Sequence, residues 1–256
     1  MSQIALVRRP SPRLNEGLVE HIERVEVDVD KAMQQWEGYV AALQAAGWQT
    51  IEVEPADDCP DSVFVEDTVV ICRNVAVSTL PGAPTRRGEV AGTRAVVEDL
   101  GLSLNWITEP GTLEGGDILK VGDTIYVGRG GRTNAEGIAQ LRRILTPLGK
   151  KVVAVPVTKV LHLKTALTAL PDGTVIGYPD FIDDTSMFPR FLPVPEELGT
   201  AVVCLSDTHV IMSASAPRTA AMIRELGYQV TTVEISEFEK LEGCVTCLSV
   251  RLRELV

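Results

Sequence analysis

Excess positive charge, histidine, long apolar runs and low-complexity linkers are all scarce in this sequence of 256 residues, and each shortage closes off a class of function. Lys and Arg total 24 against 35 Asp and Glu, a formal net charge of −11, so the clustered basic surface that nucleic acid requires is not supplied. The acidic balance suits solubility and gives mild attraction for cationic ligands. No apolar run approaches the roughly 20 residues of a membrane span, so no membrane association is expected. The first residues, MSQIALVRRPSPRL, carry only a short apolar stretch and no cleavage-site pattern, so a signal peptide is not expected either. Five cysteines, an odd number, fit a reducing cytoplasm better than a disulfide framework. With three histidines and no second C-x-x-C, a structural zinc site at Cys244 and Cys247 lacks ligands. No Pro/Gly/Ser tract divides the chain, so residues 1–256 read as one domain.

What is present is a loose repeat of about 50 residues. One unit opens with a strand-like 48–53, continues through apolar 69–71 and 76–78, and closes in a helix-patterned 86–100. A second runs from 102–107 through LEGGDILKVGDTIYVG to a helical 134–148. A third starts at 152–157 and passes HLKTALTAL and a turn at Asp172 and Gly173. A fourth reads AVVCLSDTHVIMSASAP and ends in a helical 218–226. The fifth opens at 230–235, passes GCVTCLSVRLRE and needs a closing helix. A strand at 4–8 and a helix at 30–46 supply it from the other chain end. The pattern is strand, hairpin, helix, and repeats that close head to tail predict a ring lined by short strands.

Residues able to do chemistry recur just beyond each opening strand: Glu66 and Asp67, Glu114, His162 and Cys247. Pseudo-symmetry predicts their convergence in one pocket. Cys247 reads either as a nucleophile, active as its thiolate, or as a small buried hydrophobe. VTCLSVRL reads as a strand, which argues against a redox C-x-x-C unit. His162 lies in an apolar run, where a core histidine is the commoner outcome, but Glu114 in TLEGGD can orient it as an acid–base group. Asp61, Glu66 and Asp67 flank Phe64 in PDSVFVED. Their apolar surroundings place carboxylates where a buried strand is expected, and buried carboxylates need guanidinium partners. PGAPTRR, with Arg86 and Arg87, and GRGGRTN, with Arg129 and Arg132, are loops where a fork can reach a small carboxylate. GRGG lacks a following Lys-Ser/Thr, so it is not a P-loop. Together these groups suggest a nucleophilic enzyme for a small zwitterion with a cationic head and a carboxylate tail.

At these motifs the chain resembles the dimethylarginine dimethylaminohydrolase family of penteins. The matching segments are RRPSPRLNEGL, PDSVFVED, PGAPTRRGE, EPGTLEGGD, GRGGRTNAEG, KVLHLK and EGCVTCLSVRL, spread in order over residues 8–251. The resemblance implies an α/β fold, the five-bladed α/β propeller. It also implies hydrolysis of Nω-methylated arginine to citrulline and a methylamine, with no metal or organic cofactor. It implies Cys247 as nucleophile, His162 as acid–base and Glu114 as its partner. Asp67 and Glu66 would hold the guanidinium, Asp61 and the backbone of Leu18 the α-amine, and Arg86 and Arg132 the α-carboxylate. Phe64 and Leu241 would complete the pocket, and the Leu18 loop would act as a lid.

Arginine-deiminating relatives carry an Asp two residues after the histidine, where this chain has Lys164. A dimethylated nitrogen has no hydrogen to donate to such a carboxylate, so Lys164 favours a methylated substrate. The partner expected is therefore a small molecule, and a homodimer is the assembly considered. Deimination of another guanidino compound, a non-catalytic pentein binding role and a C-x-x-C redox or zinc module are the alternatives.

Overall fold

The computed structural model describes residues 3–253. Near the start, β1 (Ile4–Val7) leads through a long loop to α1 (Val29–Ala45) and β2 (Gln49–Glu52). The second sheet comprises β3 (Val69–Cys72), β4 (Val75–Ser78) and β5 (Ser103–Trp106), with α2 (Val90–Asp99) between the last two. The third comprises β6 (Ile118–Val121), β7 (Thr124–Arg129) and β8 (Lys151–Pro156), with α3 (Ala135–Leu145) in the same place. After a single turn of helix, α4 (Leu163–Ala166), come β9 (Leu167–Ala169), β10 (Val175–Gly177) and β11 (Phe191–Pro193). The fifth set is β12 (Val202–Cys204), β13 (His209–Ser213), α5 (Pro217–Glu225) and β14 (Gln229–Val233). A short α6 (Ser236–Glu239) precedes β15 (Val250–Leu252).

Among the described residues there are five sheets of three strands each. In each, a middle strand pairs antiparallel with an inner one and parallel with an outer one. The β15–β1–β2 sheet joins the two ends of the chain, with Ile4 opposite Leu252 and Ala5 opposite Thr50. The expected α/β propeller of five pseudo-symmetric units, closed by the chain ends, is the fold. In four of the five sequence repeats the opening strand (β2, β5, β8 and β14) turns out to be the outer strand of the preceding sheet, whereas the fourth repeat opens on β12, the inner strand of its own hairpin. Parallel pairing requires a crossover, and the helix supplies it while covering the sheet.

Local sequence accounts for the helices. Asp28 caps α1, accepting from the Lys31 amide at 3.0 Å, and Ala32, Trp36, Tyr39 and Leu43 bury one stripe at helical spacing. Asn134 caps α3 in the same way through the Gly137 amide, at 2.8 Å, and Ile138, Leu141 and Leu145 face the core. Gly47, Gly101, Gly149 and Gly227 each stand at positive φ where a helical crossover ends. The β10-to-β11 connection lacks both helix and closing glycine and makes two 3-10 turns, Pro179–Phe181 and Thr185–Met187. The helix expected over 86–100 begins later, because Pro84–Glu89 forms a 3-10 segment that turns Arg86 inward. The inner strands line a central channel of about 480 Å³ whose wall carries Lys120, Lys164, Arg251 and Arg253.

Candidate active site

Four loops enter the ring axis just ahead of inner strands. Glu66 and Asp67 lie on a 3-10 turn, Val65–Thr68, that runs into β3. Sequence patterning expected a strand here; the turn instead aims the two side chains in different directions. Glu114 immediately precedes the 3-10 turn Gly115–Asp117 before β6. His162 precedes α4, and Cys247 lies three residues before β15. The equivalence of these positions brings residues up to 180 apart in sequence into one cleft.

His162 Nε2 lies 2.6 Å from Glu114 Oε2 and 4.0 Å from Asp67 Oδ1. Burial pulls the imidazole down, but Asp67, Glu114 and Asp117 outweigh it and raise it to about 9. Burial opposes ionisation of Asp67, yet His162 and Arg86 together hold it down to about 2. Glu114 is fully buried and is likewise held low, against burial, by His162 and Arg86. His162 is thus a cation between anions at neutral pH. Gly116 must be glycine: a Cβ there would lie 2.6 Å from His162 Nδ1 and 2.8 Å from Asp67 Oδ1. Its amide donates to Asp67 at 2.7 Å.

Arg86 is buried and locked by Glu89, with Nε and Nη2 donating to the two carboxylate oxygens at 3.0 and 2.8 Å. Nη1 donates to Asp67 at 2.7 Å and Nη2 also reaches the Asp61 and Phe64 carbonyls. One Nη1 hydrogen is left for the cleft. Burial pushes Glu89 up to about 7 despite Arg86. Arg132 Nη1 donates to Glu114 at 3.2 Å, and Nη2 to Glu20 at 2.8 Å. Asp61, held above the ordinary carboxylate range by burial, accepts from the Leu18 amide at 3.0 Å.

The cleft is lined by Leu18, Asp61, Phe64, Asp67, Arg86, Arg132, His162, Leu241 and Cys247, with Leu161, Glu242 and Gly243. Phe64 stacks edge-on against Phe238 at 6.2 Å and closes one side. Glu66 departs from the expected arrangement. Its carboxylate turns from the cleft into the central channel, where Lys164 and Arg251 bind it, the latter at 3.0 Å. Its amide still touches the site, donating to the Cys247 carbonyl at 3.1 Å. Arg87 pairs with Glu109 outside the cleft.

The VTCLSVRL strand is a second correction. Only Val250–Leu252 is strand, and residues 244–247 form a tight turn in which the Cys247 amide donates to the Cys244 carbonyl at 3.0 Å. The apolar run reflects burial of the turn, not extension. Cys247 is 7% exposed and its sulfur lies 3.4 Å from that of Cys244.

Sequence reasoning missed Glu20, Glu89, Asp117 and Glu242. Asp117, in the LEGGD motif, accepts from the Leu163 amide at 2.9 Å and from Thr133 at 2.6 Å, so it fixes the turn that carries His162. Glu89 was legible as a carboxylate three residues after Arg86. Glu242 accepts from the Glu20 and His21 amides and straps the 18–21 loop over the cleft, a contact with no local signature. Asp67, Glu114 and His162 also offer three ligand atoms within 4.8 Å of one another. His162, raised to about 9 and bonded to Glu114 through Nε2, offers no free lone pair there at neutral pH, so the set suits an organic cation better than a metal ion.

A family model described as arginine deiminase matches residues 52–198, more than half of the chain. An N(G),N(G)-dimethylarginine dimethylaminohydrolase of Streptomyces coelicolor is 66% identical over 254 residues, covering 99% of this chain and 98% of the relative. The enzyme of that name from Pseudomonas aeruginosa is 38% identical over 96% of this chain and 98% of its own. Among solved structures, a dimethylarginine dimethylaminohydrolase adduct with S-methyl-L-thiocitrulline superposes with a TM-score of 0.92 at 36% identity, covering 98% of this chain and all of that one. A Pseudomonas aeruginosa cysteine-to-serine variant complexed with citrulline gives 0.91 at the same identity and coverage. The chain belongs to the dimethylarginine dimethylaminohydrolase family.

Proposed function

We propose that this chain hydrolyses Nω,Nω-dimethyl-L-arginine, and the monomethyl compound, to L-citrulline and the corresponding methylamine. One observation carries the reading: buried His162, hydrogen-bonded to Glu114 at 2.6 Å and 4.0 Å from Asp67, lines one cleft with Asp67, Cys247 and two guanidinium forks. The guanidinium of the substrate lies against Asp67 and Glu114, whose fixed charges localise its positive charge and raise the electrophilicity of the central carbon. The α-carboxylate meets Arg132 and the remaining Nη1 hydrogen of Arg86, and the α-amine meets Asp61 beside Leu18. Phe64 and Leu241 border the apolar stem. Glu66 acts from behind, through its amide on the Cys247 loop and its carboxylate on Lys164.

Binding of the cationic guanidinium favours the Cys247 thiolate, its proton passing to solvent, and the thiolate attacks the central carbon, forming a C–S bond and a neutral tetrahedral adduct. His162 gives its proton to the departing dimethylamine as the C–N bond breaks, leaving an S-alkylthiouronium on Cys247. The now neutral His162 takes a proton from water, the oxygen attacks the same carbon, and the C–S bond breaks to release citrulline. Preference for asymmetric methylation follows from Lys164, which meets Glu66 rather than offering a second carboxylate to an unsubstituted nitrogen. Five free cysteines support a cytoplasmic setting. A single domain and a homodimer complete the proposal, the latter checked by light scattering.

Citrulline formation from asymmetric dimethylarginine and from arginine, measured side by side with Cys247→Ser as control, tests the reading. Turnover of the methylated substrate alone, abolished in the variant, is expected. Comparable turnover of arginine would instead indicate a general guanidine deiminase, and inert wild type would remove the catalytic reading.

A further inference from the structure

The C-V-T-C motif is not consumed by the proposed hydrolysis, which uses one of its two sulfurs. Three observations tie the second to the first. The two sulfurs lie 3.4 Å apart, already in hydrogen-bond contact. The turn that carries them is closed by the Cys247 amide on the Cys244 carbonyl at 3.0 Å. Such an i to i+3 turn brings its end Cα atoms within about 7 Å, a range that overlaps the roughly 4.4–6.8 Å spanned by disulfides. Finally, the Cys244 amide points at Cys247 Sγ, at 3.4 Å. The remaining cysteines are placed elsewhere: Cys72 ends β3, Cys204 ends β12 and donates to the Ala169 carbonyl, and Cys59 lies in the loop after β2.

We propose that Cys244 and Cys247 are a peroxide-responsive pair, whose oxidation to a disulfide switches the nucleophile off and whose reduction by a dithiol restores it. The chemistry balances with a hydroperoxide as oxidant. The half-buried Cys244, as thiolate, attacks one peroxide oxygen; the O–O bond breaks, and the leaving hydroxide takes a proton to become water. Cys244 is then a sulfenic acid, oxidised by two electrons while the peroxide is reduced. Cys247 attacks the Cys244 sulfur, the S–O bond breaks, and a second water leaves. Two thiols and one hydrogen peroxide become one disulfide and two waters. With its sulfur in that bond, Cys247 has no lone thiolate for a guanidinium carbon.

The proton balance of the pair fits this order. The hydrogen bond with Cys247 brings the Cys244 thiol down to about 7, while the same contact and burial push Cys247 up. One thiolate is therefore shared between the sulfurs near neutral pH, which is the reactive species. A ring closed over two intervening residues takes little entropy from the unfolded chain, so the bond is a labile one that a dithiol can reopen. Cys244 also gives the nucleophile an alternative to irreversible oxidation.

Treatment of the full-length enzyme with limiting hydrogen peroxide, followed by peptide mass mapping, tests the proposal independently of which guanidine is the substrate. The expected product is a 244–247 peptide lighter by two hydrogens. Citrulline formation falls in step with it, and dithiothreitol restores both. In Cys244→Ser, assayed against its own untreated activity, the lighter peptide is absent and the loss tracks oxygen adducts on Cys247, with the higher, dithiothreitol-resistant oxides reached at lower peroxide than in the wild type. Oxygen adducts on Cys247 of the wild type without the lighter peptide, or equal peroxide doses for resistant loss in the two proteins, would overturn the proposal. The wild-type mapping stands even where the variant does not fold.

Discussion

Two carboxylates already meet at Arg132: Glu114 from within the ring and Glu20 from the loop above it. Glu20 is 44% exposed, so its pairing with Arg132 is worth about 0.2–1 kcal/mol, against a solvated alternative. A substrate carboxylate that needs the same fork must displace it. Glu20→Gln is therefore expected to lower KM for asymmetric dimethylarginine by roughly two- to fivefold with little change in kcat, read from initial rates. An unchanged or higher KM would show that Glu20 does not compete. His162 gives a second expectation. Its folded-state pKa is raised to about 9 from 6.5, so the proton it holds stabilises the folded chain fully below pH 6.5, and that contribution is lost as pH rises through 9. Urea midpoints of wild type and His162→Gln should converge between pH 6.5 and 9.5, the wild type losing its advantage as the pH rises. A gap that widens over this range would contradict the assignment of the proton. Residue identities were the most legible level, because PDSVFVED, TLEGGD and VLHLK carry their chemistry in unusual composition. Glu20 and Glu242 were not legible, since their partners lie 112 and 222 residues away.

Short 3-10 turns before the inner strands, rather than the strands themselves, hold the catalytic geometry. The Glu66 turn and the Gly115 turn pack so closely that a Cβ on Gly115 would lie 1.9 Å from the Glu66 carbonyl oxygen, a backbone atom unable to yield by rotating. Gly115→Ala is expected to cost about 1–3 kcal/mol in stability, measured by urea denaturation, and to reduce kcat because Glu114 and Asp67 move apart. Wild-type stability would mean that the turns are free to separate. Helices were well read, since caps such as Asp28 and Asn134 and periodic apolar faces are local signals. The turns at Glu66 and Cys247 were misread as strand because a buried irregular segment has the same apolar flanks as a buried strand. Period alone does not separate the two.

Across the whole molecule, pseudo-symmetry converts distance in sequence into proximity at one axis. Equivalent loops ahead of β3, β6, β9 and β15 each deliver a reactive group, and the ring closes because β15 pairs with β1. The ring was visible as a 50-residue period. The assignment of each outer strand to the preceding sheet was not, because strand pairing is set by the crossover and leaves no mark in composition. Closure also places Cys247 in the same cleft as His162 and makes its attack the central claim. Acid quenching of the enzyme during turnover of asymmetric dimethylarginine, followed by peptide mass analysis, tests that claim most directly. The predicted result is a transient adduct on Cys247 with the mass of the substrate less dimethylamine, and none in Cys247→Ser. Citrulline formed without any such adduct, or an adduct on another residue, would contradict the account.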